Sequence, residues 1–427
     1  MAKPEEGLIR SILRPIGDFV QDNLRINSFE PFEVLFGESV IGVSIIAIIV
    51  VSMLITAVVQ STDFFTPANT RSHTLRYVGE WEKTYSSLAP SRKSLHEYLR
   101  VLSEKQQIEP QQKCLANFLI MTANGAGMFL PGEGGKFAIA NVDSVSYLLR
   151  AGVRGFIFDV RERLDDIGKP FIFMSDADPT RGWRTTSMNW LPLRDPMNRL
   201  RIEAFGDGTK SKGEITKLRN TADPIFVYLR FSRIHRKEFY NEVANVLENA
   251  FRDYKLDYTW AATRREADFY TTDIQEFMGR VVILSNQRAG GTRLEDFINI
   301  VAPSSVKDYY KAQDISNMSQ GETTKEKALI QQHVLAAFDP LGTPESLENA
   351  MQWDRAHQLG IQMVALNFFN KKGNLEGYRN LFGNYSFKLK PAHLRHNVRV
   401  TEKPKKPGQD ANAKGGNVSM PGLNMRT

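Results

Sequence analysis

Residues 360–368 read GIQMVALNF, and residues 383–395 read GNYSFKLKPAHLR. The first is an apolar run closed by Asn367, and it predicts a strand. The second alternates Tyr385, Phe387 and Leu389 with Ser386, Lys388 and Lys390 before Pro391 stops it. A period of two is the signature of a strand, so this run predicts one as well.

Outward from these two runs the pattern repeats. CLANFLIMT (114–122), GFIFDV (155–160), PFIFM (170–174), DPIFVYLRF (223–231) and GRVVILSN (279–286) predict strands. DSVSYLLRAG (143–152), with its glycine stop, HRKEFYNEVANVLENAFRDY (235–254) and TRLEDFINI (292–300) predict helices. Strand and helix alternating from about residue 72 to 401 argue for a parallel sheet or an α/β barrel. There is no internal repeat. Residues 303–328, PSSVKDYYKAQDISNMSQGETTKEKA, are polar and read as a loop or insertion, and residues 402–427 read as a basic, disordered tail.

The chain has 427 residues, enough for one large domain with extensions. Its formal net charge of +7 suits an anionic partner, whether a lipid surface, nucleic acid or an inositol phosphate, and equally an ordinary solvated surface. A single cysteine, Cys114, excludes an intrachain disulfide and a cysteine-based zinc site, and fits a reducing compartment.

Near the start, Ile41 to Val59 reads IGVSIIAIIVVSMLITAVV without a charged residue. At ~1.5 Å per residue such a run spans roughly 30 Å, the thickness of a bilayer's hydrocarbon core. It predicts a transmembrane helix over residues 39–60. Arg71 and Arg76 after it, against Arg25 before it, place the large C-terminal region on the cytoplasmic side of a single-pass topology. Before the span, Leu8, Ile9, Ile12, Leu13, Ile16, Phe19 and Val20 form an amphipathic stripe interrupted by Pro15, suited to a membrane surface or to another protein face. The expected organisation is an N-terminal amphipathic segment (1–38), the span (39–60), a linker or helical approach (61–100), the α/β barrel (101–401) and the tail (402–427).

GIQMVALNF resembles the G-x-Q-M-V-A-L-N-F strand of the eukaryotic phosphoinositide-specific phospholipases C. GNYSFKLKPAHLR resembles their G-Y-V-L-K-P-A-F-L-R run, so the two stretches are expected to close the family's barrel. VSYLLRAGVRGFIFDV (145–160) is similar to the stretch where a helix leads through Gly-x-Arg into the second strand. The resemblance covers about 300 residues. It implies a distorted TIM-type (β/α)8 barrel of the phospholipase C-like phosphodiesterase kind, with its site at the C-terminal strand ends. The polar segment at 303–328 falls where the family places its X–Y linker.

The resemblance also implies a chemistry: two histidines for proton transfer and charge stabilisation, and a calcium ion held by Asn, Asp and Glu oxygens. Lys and Arg side chains would hold the ring phosphates. Set on this sequence, the family's Ser-His-Asn becomes Thr122-Ala123-Asn124, and its Glu-x-Asp becomes Ile157-Phe158-Asp159. Its His-Gly-His, at the end of a third strand, falls at Met174-Ser175-Asp176. Its Ile-Glu-Asn becomes Leu229-Arg230-Phe231, and its Lys-x-Lys becomes Ser285-Asn286-Gln287. The Lys-Gly-x-Arg clamp falls at Leu341-Gly342-Thr343-Pro344, without either cation. Only Asn124 and Asp159 match as calcium ligands, and Arg230 puts a positive charge where a third ligand belongs. No histidine occurs between His96 and His235, the interval that should hold both catalytic ones.

The expectation is therefore a barrel with no catalytic residue, no cofactor and no metal, calcium entering only if the barrel is active after all. It would be a scaffold or protein-interaction module fixed to a membrane. Two alternatives stand beside it. One is a divergent phosphodiesterase using Asn124, Asp159 and Asp176. The other is a non-hydrolysing binder of anionic phospholipid headgroups in which Arg230 holds a phosphate. Asn124 also reads as a turn residue before Gly125, and Asp159 as an ion-pair partner of Arg161 or Arg230. PGEGGK (131–136) fails the phosphate-loop pattern, since Leu130 precedes it and Phe137 follows. His393 and His396 have no acidic or thiol neighbour in sequence. The basic runs RFSRIHRK (230–237) and TRREAD (263–268) lack the interleaved aromatics of a base-stacking surface, so no nucleic acid is expected.

Overall fold

Seven parallel strands follow one another around a sheet in the order in which they occur in the chain. They are β1 (Thr122–Asn124), β2 (Gly155–Glu162), β3 (Ile225–Phe231), β4 (Val281–Ser285), β5 (Ile300–Val301), β6 (Ala336–Ala337) and β7 (Met363–Leu366). Their pairing runs β5-β4-β3-β2-β1-β7-β6, every neighbour parallel. The last strand thus pairs with the first, which a flat sheet wound in sequence order cannot achieve. The two ends of the order, β5 and β6, are consecutive in the chain. Tyr310, which lies between them, forms a parallel bridge to Ala337. The sheet is therefore curled into a barrel-like α/β ring.

The structure is a computed structural model. It describes residues 92–129, 137–163, 166–174, 186–187, 189–206, 218–231, 235–256, 266–301, 309–318, 333–341, 344–370 and 373–396. The chain divides into two units, Met1–Val78 and Gly79–Thr427. The amphipathic segment, the span at 39–60, the motif at 131–136, Asp176 and the tail lie outside the described residues. Among the described residues no helix is long and apolar enough to cross a membrane.

Register explains which side chains face inward. Ile157 sits beside Tyr228, and Tyr228 beside Leu284, on β2, β3 and β4. All three belong to one buried cluster with Phe226, Val282, Ala336, Phe338, Met363 and Ala365. With side chains alternating along a strand, this is the inner face. The opposite face carries Phe231, whose ring meets Phe239 at 6.1 Å and Tyr240 at 5.3 Å on the long helix Lys237–Phe251.

That helix and the helix Asp143–Ala151 lie where the sequence predicts them. The second ends at Gly152, whose φ of 96° is left-handed. A Cβ there would also run into the Arg92 side chain. Arg92 crosses this glycine to donate to the carbonyls of Ala151 (3.1 Å), Tyr385 (2.9 Å) and Gly383.

Five expectations are corrected. The strand Phe387–Leu389 does not close the ring: it pairs antiparallel with Phe118–Ile120, outside the parallel order. Pro170–Ile172 pairs antiparallel with Val160–Glu162, so it folds back on β2 and is not a third barrel strand. Periodicity identifies a strand but not its partner, and both errors follow from that. CLANFLIMT is not one strand but a 3-10 turn (Leu115–Asn117), the strand Phe118–Ile120 and the start of β1. TRLEDFINI yields a 3-10 turn, Arg293–Asp296, leading into β5. The polar stretch at 303–328 contains Tyr310, part of the ring, and a helix, Ala312–Asn317. The helix Leu95–Glu104 buries Leu95, Tyr98, Leu99 and Leu102 in the barrel core.

Candidate functional site

At the C-terminal end of the ring, β2 and β3 place Asp159 and Arg230 directly opposite each other. Both continue the inner face above Ile157 and Tyr228. Arg230 Nη1 donates to Asp159 Oδ2 at 2.6 Å, and their side chains are 13% and 1% exposed. Arg161, two residues further along β2, reaches the same oxygen at 3.5 Å. One carboxylate thus carries two guanidinium groups. Burial works against the charge of Arg230, but Asp159, and then Tyr309, outweigh it and hold the guanidinium above its ordinary pKa.

Aromatic rings fill the space beside this pair. The Arg230 guanidinium lies 5.6 Å from the centre of the Tyr309 ring. Tyr309 stacks on Phe338 with centroids 4.2 Å apart, and Phe338 meets Tyr228 edge-on at 5.4 Å. Arginine over an aromatic face is a favourable contact in its own right. The mouth of the ring is thus occupied by Arg230, Tyr309 and Phe338. Tyr309 was not singled out in the sequence, because it sits in a stretch whose polarity signals a loop.

Asn124 shares the inner face, being registered with Ile157 on β2. It turns toward the other side of the ring, where its Nδ2 donates to the Asp339 carbonyl at 2.8 Å, just past β6. Asp339 in turn accepts the Ala312 amide at 2.9 Å. Burial, then the Ala312 bond and the nearby Glu345 charge, act on the Asp339 carboxyl; the net effect raises its pKa. A narrow recess lies here, lined by Asn124, Asp339, Glu345, Ser346, Asn349 and Met351 among others. Asn124 and Asp159 therefore do not converge on one point: the first ties β1 to the segment after β6, and the second ties β2 to β3.

The remaining family positions hold the backbone. Asn286 accepts the Phe231 amide (2.8 Å) and donates to the Phe231 carbonyl (3.0 Å), locking β4 to β3. Gln287 Nε2 donates to the Tyr240 hydroxyl at 2.8 Å. In the basic run RFSRIHRK, Arg230 points into the ring and the His235 side chain is 1% exposed, its Nδ1 3.6 Å from Glu162 Oε2. The run is only partly a solvated surface.

These residues do not fit a calcium ion. Hard cations need several converging oxygens. Here Asp159 is engaged by two cations, Ile157 offers no oxygen, and Arg230 adds a positive charge. Among the described residues no group of three or more His, Cys, Asp or Glu side chains is placed to hold a metal. Two described histidines, His235 and His357, pack against aromatic rings. His357 is buried, stacked on Tyr378 with centroids 5.7 Å apart.

No family model matches the chain, and no curated protein matches it. Solved structures do. S. officinalis PLC21 aligns at 13% identity over 67% of this chain and 38% of its own, with a TM-score of 0.47. L. pealei PLC21 aligns at 14% identity over 75% and 44%, with a TM-score of 0.46. A calcium-dependent phosphoinositol-specific phospholipase C from Pseudomonas sp. aligns at 11% identity over 66% and 98%, with a TM-score of 0.39. The chain spans less than half the length of the two PLC21 structures.

Proposed function

We propose that this chain is a membrane-anchored, catalytically inactive phospholipase C-like barrel that acts as a structural scaffold or protein-interaction module. Residues 39–60 supply the anchor, and the barrel lies on the cytoplasmic side. The reading rests on the motif resemblance together with the closed order of parallel strands. The observation that carries the inactivity is the Arg230–Asp159 pair. It spends the one aligned carboxylate on a protein cation at 2.6 Å, in the place where a metal-dependent phosphodiesterase needs that carboxylate for its ion.

The same pair weighs against the two alternatives. A divergent phosphodiesterase built on Asn124 and Asp159 would need them to converge, and they point to different partners. A headgroup binder built on Arg230 would need that guanidinium free to turn toward a phosphate, and Asp159 holds it at 2.6 Å. If Arg230 nonetheless held a lipid phosphate, Arg230→Ala would lose headgroup binding while the fold survived; unchanged binding removes that alternative.

Calorimetric titration of the full chain with calcium tests the proposal. No saturable binding at the barrel is expected for the wild type. Stoichiometric binding that Asp159→Asn abolishes would contradict it.

A further inference from the structure

We draw no further inference here: the strongest candidate, the exposed apolar surface of Ile167 and Trp190 on the antiparallel strands that follow β2, carries nothing, because Lys169 and Arg194 beside it are paired with Asp166 and Asp195 and nothing among the described residues shows what covers it.

Discussion

Arg230 and Asp159 are cross-strand partners on adjacent parallel strands, joined Nη1 to Oδ2 at 2.6 Å inside the mouth of the ring. Removing one partner of a buried pair leaves an uncompensated charge, which costs about 3–5 kcal/mol. Arg230→Met should therefore lower the stability of the barrel by that order in chemical denaturation, since Arg161 reaches Asp159 only at 3.5 Å. Loss of under about 0.5 kcal/mol would show that the pair is not the tie described here.

Gly152 and Arg92 should behave as a coupled unit. Gly152→Ala places a Cβ against Arg92 and asks alanine to adopt φ near 96°. The left-handed conformation alone costs roughly 1–2 kcal/mol. In an Arg92→Ala background the steric part disappears and the backbone part stays. A double-mutant cycle should return a coupling of the order of 1 kcal/mol, and strict additivity would contradict the contact.

His357 should contribute to acid sensitivity. Its ring is buried, and burial, followed by the charge of Lys390, lowers its pKa to about 3. The folded state keeps it neutral while the unfolded state binds a proton below its ordinary value. Stability should therefore fall as pH drops from about 6.5 toward 3. His357→Phe keeps the stacked ring on Tyr378 and removes the titration. The difference in unfolding free energy between wild type and variant should change with pH across that window and be flat above it; a pH-independent difference rules this out.

Much of the ring is legible in the sequence because its longer strands are dense apolar runs. GFIFDV, DPIFVYLRF, GRVVILSN and GIQMVALNF all become parallel strands. The two-residue strands Ile300–Val301 and Ala336–Ala337 are too short to leave a periodic signal. Strand direction was lost at Pro170–Ile172 and Phe387–Leu389, because an alternating pattern records a face and not a partner. At the site, Asp159 and Arg230 could be matched from charge alone, as opposite charges near two strand ends. The bond from Asn124 to the Asp339 carbonyl could not, since a main-chain acceptor 215 residues away leaves no mark in side-chain pattern. Tyr309 was hidden for a related reason: a partly buried aromatic in a polar stretch looks like a loop residue.

The central claim is that the barrel does not cut phosphoinositides. The most direct measurement supplies the full-length protein, in mixed micelles, with radiolabelled phosphatidylinositol and its bisphosphate, once with calcium and once with chelator. The account predicts no release of inositol phosphates above blank from protein that is folded by circular dichroism. Calcium-dependent release that Asp159→Asn abolishes would contradict it, and would mean that the mouth opens the Arg230–Asp159 pair and builds a catalytic site from other residues.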